Sequence, residues 1–180
     1  SPSDFVVVKG MNKDRATSGA SPGPLSDTVA AGRKPDTAGR AVEAALSGAG
    51  FEPVAYQVIP DEPEQLRAAL DAAMNAGTAL IITVGGTGVS PRDRTAETVT
   101  PYLLQPLPGL MEAARAFGQR RTPYAALSRG VAGYARDNSL VLTCPGSRGG
   151  ASETLAAVLP ALVHLVEVCR PGKPHPGGYR

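Results

Sequence analysis

The chain has 180 residues, a formal net charge of +2, and an apolar content of 42%. This length fits one domain with its own core, and this composition excludes a disordered chain. The 18 basic residues are spread along the sequence, which argues against a nucleic-acid binder with a dense basic face. The apolar runs are short, so we expect no membrane span, no leader and a cytoplasmic location.

Short β-rich runs alternate with amphipathic patterns along the chain. The predicted strands cover residues 5–9, 51–59, 79–84, 124–128 and 139–143. The predicted helices begin after Asp36 or Thr37, after Asp61, at about Thr95, at Pro108 and at Ala151. Residues 10–35 are rich in Gly, Ser and Pro and are predicted to be a long loop, and Pro160 is predicted to kink or split the last helix.

This alternation of strands and helices is typical of βαβ units, so we expect an α/β fold with a mostly parallel central sheet. One domain is predicted over residues 1–170, followed by a Pro/Gly-rich tail at 171–180. Ligands of such sheets bind beyond the carboxyl ends of the strands. That rule brings together the loop after Lys9, Asp61, the glycine-rich loop after the third strand, and the loop after Thr143.

The cysteines and histidines do not form a metal motif. Cys144 and Cys169 lie in apolar stretches, which favours packing in the core. His164 and His175 have no Cys or His at ligand spacing, so a zinc site is not expected.

The strongest local signal is GGTGVSPRD at residues 85–93, directly after a buried strand. Its glycines let the backbone turn and approach a ligand, and successive amides can cradle phosphate oxygens. Thr87 and Ser90 add hydroxyl groups, and Asp93 is placed to hold a Mg²⁺ that also contacts phosphate. The loop is neither a Walker A sequence nor the GxGxxG dinucleotide pattern. Taken alone, it is equally a plain turn or an anion site.

Residues 85–95 resemble the GGTG-x-x-x-x-D-x-T signature of the molybdenum-cofactor biosynthesis family. That family includes MoaB/Mog-type proteins, the plant molybdopterin adenylyltransferase domain and the G domain of gephyrin. Further segments between about residues 5 and 170 are similar to family motifs in the same order. These are VIPDE at 58–62, LPG at 107–109, ALSR at 126–129 with AG at 132–133, PGS at 145–147, and Asp14 to Gly19 with Asp36 and Gly39 in the first loop.

The resemblance implies a three-layer αβα sandwich of the molybdopterin-binding type and a molybdopterin adenylyltransferase activity. The phosphate of molybdopterin would attack the α-phosphate of ATP, and pyrophosphate would leave. Because the attacking group is already an anion at neutral pH, positioning and charge neutralisation are sufficient without a strong base. The resemblance also implies a homotrimer that binds Mg²⁺, ATP and molybdopterin, and we expect no nucleic-acid or membrane partner.

Individual residues take their predicted roles from the family motifs. Asp61 and Asp93 match the family's two functional aspartates, and we predict that they are catalytic and hold Mg²⁺. The predicted substrate-binding residues are Gly85, Gly86, Thr87, Gly88, Ser90, Ser128, Pro145, Gly146 and Ser147. The alternatives are structural: both aspartates are also placed to cap helices, and Ser128 is equally an ordinary hydroxyl at a strand end. For Asp14 and Asp36 we favour simple Asx-turns.

The chain departs from the family pattern in three respects. Its first loop is longer, Thr143 stands where the family often has Asn, and residues 148–150 replace a Pro-containing segment. The first loop and Thr143 favour, as the alternative, a non-catalytic member that binds molybdopterin or a partner protein. A third hypothesis is a nicotinamide-nucleotide deamidase or a molybdate-inserting enzyme. GGTG differs from the GGLGPT-x-DD pattern of the former, and the latter carries further domains.

Overall fold

The computed structural model describes residues 2–11 and 37–167. The predictions for Asp14, Asp36, Cys169, His175, the first loop and the tail fall outside these ranges. The strands are Ser3–Met11 (β1), Phe51–Ile59 (β2), Leu80–Val84 (β3), Gln105–Pro106 (β4), Ala132–Tyr134 (β5) and Leu140–Cys144 (β6). The α-helices are Ala38–Gly48 (α1), Pro63–Asn75 (α2), Thr95–Val99 (α3), Pro108–Gly118 (α4) and Arg148–Glu167 (α5).

The six strands form one sheet in the order β2-β1-β3-β6-β5-β4. β3 and β6 pair in parallel, whereas the described pairings of β1 with β2 and β3, and of β5 with β4 and β6, are antiparallel. The predicted α/β class is confirmed, but the sheet is mixed rather than mostly parallel. An apolar run does not record the direction of its strand, and β4 and β5 are too short to show a period.

Both faces of the sheet are covered by helices, which gives three layers. Successive residues of a strand point to opposite faces, so neighbours on β3 enter different cores. Ile82 belongs to the core that contains Val42 of α1 and Leu155 of α5, whereas Ile81 belongs to the core that contains Leu70 of α2. β3 and β6 are buried along their whole length, as expected for central strands covered on both sides.

The direction of β1 decides which loops meet. Asp4 is paired with Val84 and Ser3 with Ile59, so the amino end of β1 lies where β2 and β3 end. The loop after Lys9 was expected at this edge, and that prediction is wrong because β1 runs antiparallel to its neighbours. The ends of β2, β3 and β6 do share the edge, as predicted.

The helix starts confirm one predicted cap and correct two others. Thr37 caps α1, and its Oγ1 accepts a hydrogen bond from the Arg40 N–H at 3.2 Å. Glu62, not Asp61, is the residue before α2, and Arg94, not Asp93, is the residue before α3. Neither Glu62 nor Arg94 makes a side-chain capping bond. The Asp93 Oδ2 accepts from the Ser90 N–H instead, so the capping alternative for Asp93 is wrong.

Three segments differ from the expected secondary structure. Residues 124–128 were predicted as a strand, but Pro123–Leu127 is a 3-10 turn that begins after the capping residue Thr122. The helix that starts at Thr95 changes to a 3-10 turn at Thr100–Tyr102 instead of continuing to residue 104. α5 is assigned as one helix through Pro160, so it is not split.

α5 is long and apolar enough to cross a membrane by length and composition, with a mean hydropathy of 1.4, contrary to our expectation from the sequence. It is the single helix within residues 2–11 and 37–167 that passes this test. Ala151, Leu155, Val158 and Leu162 of α5 are buried in the core shared with α1 and α4.

Candidate active site

A cavity of about 750 Å³ opens at the sheet edge where β2, β3 and β6 end. It is bounded by the loops after these strands, by one face of α4 and by the 3-10 turn Pro123–Leu127. Every predicted site residue lines it: Asp61, Gly85, Gly86, Thr87, Gly88, Ser90, Asp93, Ser128, Pro145, Gly146 and Ser147. The structure thus brings together residues that are separated by up to 86 positions in the sequence, from 61 to 147.

The loop of residues 85–89, which follows β3 and is called the glycine loop below, presents free amides. The N–H groups of Gly86, Thr87, Gly88 and Val89 donate to no group in the part of the chain that the structure describes. All four residues line the cavity. Consecutive free amides in a concave turn form a binding site for an anion such as phosphate.

The first four carbonyls of the glycine loop, in contrast, are all paired. The carbonyl oxygen of Gly85 accepts from the Thr95 hydroxyl at 2.9 Å, and that of Gly86 accepts from the Thr95 N–H at 3.1 Å. The carbonyl oxygens of Thr87 and Gly88 accept from the N–H and the Nε of Arg129, each at 2.8 Å. Four successive carbonyls are therefore bound by only two residues.

Glycine is required in this loop for two physical reasons. Gly85 and Gly86 have φ angles of 116° and 69°, which L side chains rarely adopt. A Cβ on Gly86 would lie 2.2 Å from the Thr95 Oγ1, and a Cβ on Gly88 would lie 2.8 Å from the Asp93 Oδ2. The loop is thus packed too closely for any side chain at these positions.

Asp93 closes the turn that follows the glycine loop. Its Oδ2 accepts a hydrogen bond from the Ser90 N–H at 2.9 Å, while the Ser90 hydroxyl accepts weakly from the Arg92 N–H at 3.4 Å. Asp61 approaches the cavity from the end of β2 and is exposed. Two carboxylates, one from each loop, therefore share a cavity with the free amides.

The loop between β6 and α5 forms the opposite wall. The Ser147 hydroxyl accepts from the Gly150 N–H at 3.1 Å, and the Ser147 carbonyl accepts from the Ala151 N–H at 2.9 Å, so Ser147 caps α5. The amino end of a helix attracts anions because its first amides lack partners and its dipole is positive there. A Cβ on Gly146 would lie 3.3 Å from the Gly85 Cα, which places the two loops in contact.

Several cavity residues carry charge that the sequence did not single out. Arg115 donates to the carbonyl oxygens of Ser128 at 3.2 Å and Gly130 at 3.5 Å, and Arg121 forms an ion pair with Glu153. The Ser128 hydroxyl makes no hydrogen bond with a described residue, and it stays available to a ligand. Nothing in the sequence pattern marked Arg115, because its partners are backbone carbonyls of a distant segment.

Arg129 was also missed, although it belongs to the ALSR segment. Besides its bonds to the glycine loop, its guanidinium donates to the Asp93 carbonyl at 2.7 Å and pairs with Glu97. The hydrogen bond from Arg129 is the main cause that lowers the pKa of Glu97, and the same bond raises the pKa of Arg129. Both side chains are therefore charged at neutral pH.

Thr143 and Cys144 have structural environments at the end of β6. The Thr143 Oγ1 accepts from the Val131 N–H at 2.8 Å and lies 3.1 Å from the Val131 carbonyl, so it ties β6 to the segment before β5. Cys144 is fully buried, and desolvation raises the pKa of its thiol to about 12. The predicted core role of Cys144 is consistent with this burial.

Comparisons with known proteins agree with this geometry. Residues 24–164 match the family described as "Probable molybdopterin binding domain". A molybdenum cofactor biosynthesis bifunctional protein of Chlorobaculum tepidum is 36% identical over 140 residues, covering 78% of this chain and 45% of that protein. A molybdopterin adenylyltransferase of Helicobacter pylori is 32% identical over 146 residues, covering 79% of this chain and 82% of that protein. The chain spans about half the length of the bifunctional proteins that it matches.

Solved structures extend the likeness to the fold. The molybdopterin biosynthesis enzyme MoaB of Thermus thermophilus is 45% identical with a TM-score of 0.68, covering 79% of this chain and 89% of that one. The molybdopterin biosynthesis Mog protein of Mycobacterium ulcerans is 35% identical with a TM-score of 0.66, covering 78% and 90%. Since the family match spans most of the sequence, the chain belongs to the molybdopterin-binding-domain family of molybdenum-cofactor biosynthesis.

Proposed function

We propose that this chain adenylylates molybdopterin with ATP and releases pyrophosphate. The observation that carries the proposal is the run of four free amides beside Asp61 and Asp93 in one cavity. Amides bind phosphate oxygens, and the carboxylates stand where a cation that accompanies phosphate would be held. Relatives named molybdopterin adenylyltransferase and MoaB support this reaction over others.

In the reaction, an oxygen of the molybdopterin phosphate attacks the α-phosphorus of ATP. The bond from that phosphorus to the bridging oxygen breaks, and pyrophosphate leaves with the bonding pair. The described cavity lining holds no His or Cys to act as a base, and an anionic nucleophile needs none. We infer that the amides of the glycine loop and the cap of α5 orient the phosphates and neutralise their charge.

The carboxylates also fit the requirements of Mg²⁺. Among the described residues, no group of three or more His, Cys, Asp or Glu is arranged to hold a metal, so the protein alone offers no complete cage. Magnesium in phosphate-binding sites uses one or two carboxylates together with phosphate oxygens and water. Asp61 and Asp93 would hold the ion, which when bound would supply further neutralisation of phosphate charge.

A non-catalytic molybdopterin-binding protein is the second candidate. It is favoured by Thr143, which stands where the molybdenum-cofactor biosynthesis family often has Asn. The Thr143 hydroxyl is hydrogen-bonded to the backbone of Val131. Under this candidate the cavity binds molybdopterin, but ATP is neither bound nor cleaved. The homotrimer and the cytoplasmic location stay predictions from the sequence.

The proposal is tested by incubating the chain with molybdopterin, ATP and magnesium and measuring pyrophosphate together with the adenylylated pterin by mass spectrometry. Asp61→Asn and Asp93→Asn are expected to lower kcat by about 100-fold or more, because the charge that holds the cation is lost. Their affinity for molybdopterin alone, measured by calorimetry, should stay within about threefold, as for an interaction formed chiefly during turnover.

Asp137→Asn is the matched control, since Asp137 is an exposed aspartate outside the cavity with a left-handed φ of 58°, which Asn tolerates. It should keep the unmodified rate. Pyrophosphate release by Asp61→Asn and Asp93→Asn at the unmodified rate would contradict the assignment. Tight binding of molybdopterin without any turnover of the unmodified chain would select the second candidate.

A further inference from the structure

We propose that Thr95 and Arg129 are positioning residues that hold the glycine loop in its anion-binding shape before a ligand arrives. Neither residue lines the 750 Å³ cavity, so each acts through the loop rather than on the substrate. The identity of the anion rests on the proposed function, whereas the shape of the loop rests on the hydrogen bonds alone.

The argument starts from the peptide unit. A trans peptide is planar, and its C=O and N–H point in opposite directions. Because Thr95 and Arg129 bind the carbonyls of residues 85–88 on one side, the amides of residues 86–89 are turned to the other side, where the cavity lies. Without these four bonds, a glycine-rich segment would sample many conformations.

Preorganisation gives this arrangement its effect on binding. A flexible loop must be ordered when the ligand binds, and the ordering subtracts from the affinity. Donors that are already aimed at the anion need no reorganisation during the reaction. Thr95 is 5% exposed and sits at the start of α3, so its bonds to the loop are shielded from competing water.

Arg129 links the glycine loop to Asp93. One guanidinium donates to the Gly88 carbonyl, to the Asp93 carbonyl and to the Glu97 carboxylate. A single planar group therefore ties the glycine loop to the backbone of Asp93. Lysine keeps the charge but has no fork of fixed donors, so it cannot make the same set of bonds.

The experiment uses amide NMR with inorganic pyrophosphate as the probe, and kinetics with ATP and molybdopterin. In the unmodified chain, pyrophosphate should shift the amide signals of residues 86–89. Arg129→Lys and Thr95→Val should weaken pyrophosphate binding roughly tenfold. Both should lower kcat/KM by about 100-fold, as expected for misplaced reacting groups. Thr95→Ser restores the hydroxyl donor and should recover affinity to within about threefold.

Arg136→Lys is the control, because Arg136 has a similar exposure and makes comparable hydrogen bonds to Asp71, Asp137 and Asn75 outside the cavity. It should lower the unfolding midpoint in urea about as much as Arg129→Lys while leaving pyrophosphate binding unchanged. The proposal is overturned if Arg129→Lys and Thr95→Val bind pyrophosphate normally, or if Thr95→Ser is as impaired as Thr95→Val.

The same data separate this inference from the proposed function. Amide shifts and variant effects in a chain that never adenylylates molybdopterin would support the loop assignment and reject the enzyme. If the unmodified chain adenylylated molybdopterin but these amides did not respond to pyrophosphate, the proposed function would be supported and the loop assignment rejected.

Discussion

The Asp93 side chain accepts a hydrogen bond that closes its own turn, and it also lines the cavity. Its Oδ2 is occupied by the Ser90 amide, whereas its Oδ1 accepts no hydrogen bond from a described residue. A carboxylate with one anchored oxygen keeps its orientation while the other oxygen is available to a cation. Free rotation of the carboxylate is thereby restricted before any ligand binds.

Gly86→Ala tests the packing of the glycine loop at a single position. The added Cβ would clash with the Thr95 Oγ1 and force a left-handed residue to carry a side chain, so we expect a loss of about 1–3 kcal/mol of unfolding free energy. Molybdopterin affinity should fall with it, because the Thr95 bonds to the loop are displaced. Urea unfolding and calorimetry measure the two effects.

Gly48→Ala is the matched control, since a Cβ there has nothing within 4 Å and Gly48 lies in the last turn of α1. It should stabilise the chain by about 0.4–1 kcal/mol by reducing the freedom of the unfolded state. Equal effects of the two substitutions would contradict the account of the glycine loop.

Among single residues, the sequence indicated several that line the cavity but not Thr95 and Arg129, which support the glycine loop from outside it. Asp61, Asp93 and Ser147 follow strand ends, and that position is visible in the pattern of apolar runs. Arg129 and Thr95 act on backbone carbonyls, which every residue has, so no sequence pattern marks their targets. The carbonyls that Thr95 and Arg129 bind can be identified only from the folded structure.

Among the elements, predicted strands were accurate where both period and boundaries were strong. Phe51–Ile59 has the predicted bounds because it is rich in apolar and β-branched residues and is flanked by Gly50 and Pro60-Asp61. Pro123–Leu127 was mistaken for a strand because its apolar content resembles one, whereas Thr122 and Pro123 start a helical turn. The antiparallel direction of β1 depends on pairing with distant residues, which local composition does not encode.

Ser147→Ala tests the start of α5. Loss of the hydroxyl removes the bond to the Gly150 N–H and should cost about 1 kcal/mol of stability, as for other helix caps. Because Ser147 also lines the cavity, molybdopterin affinity should fall several-fold in a calorimetric titration.

Thr37→Ala provides the comparison, since Thr37 caps α1 through the equivalent amide of Arg40 and does not line the cavity. It should lose similar stability and keep its affinity for molybdopterin. A Ser147→Ala chain that binds molybdopterin as well as Thr37→Ala does would assign Ser147 a purely structural role.

For the whole molecule, the position of the cavity follows from one parallel strand pair. β3 and β6 are parallel neighbours in the sheet, so both strands end at the same edge. The glycine loop follows β3 there, and the loop before α5 follows β6. The buried side chains of these strands fix both loops against the two cores. The edge that carries the cavity therefore depends on two strands that are buried along their whole length.

The pH dependence of the reaction should be flat between about pH 7 and 9. The described cavity lining has no His or Cys, the buried Cys144 keeps a pKa of about 12, and a phosphate monoester is doubly ionised above its second pKa near 6. We expect kcat at saturating substrates to vary less than about twofold in this range. A tenfold change per pH unit in a stopped assay would show that an ionising group takes part.

Acid should weaken the fold through Glu97. The pKa of Glu97 is lower in the folded chain, chiefly because Arg129 donates to it, so the folded state is favoured above the unfolded pKa near 4.5. This contribution is lost as the pH falls through the lower, folded pKa. Glu97→Gln should flatten the dependence of the urea midpoint on pH below about 4.5, and an unchanged slope would contradict the ion pair.

The close approach of Gly146 to Gly85 has a genetic consequence. Since the walls of the cavity touch at two residues without side chains, a change that widens one wall displaces the other. A side chain at Gly146 would press on the Gly85 backbone, whereas a side chain at Gly85 would be strained by its φ of 116° whatever stands at Gly146. Natural sequence variation at Gly85 should therefore be limited to glycine, while the outer ends of both loops vary more freely.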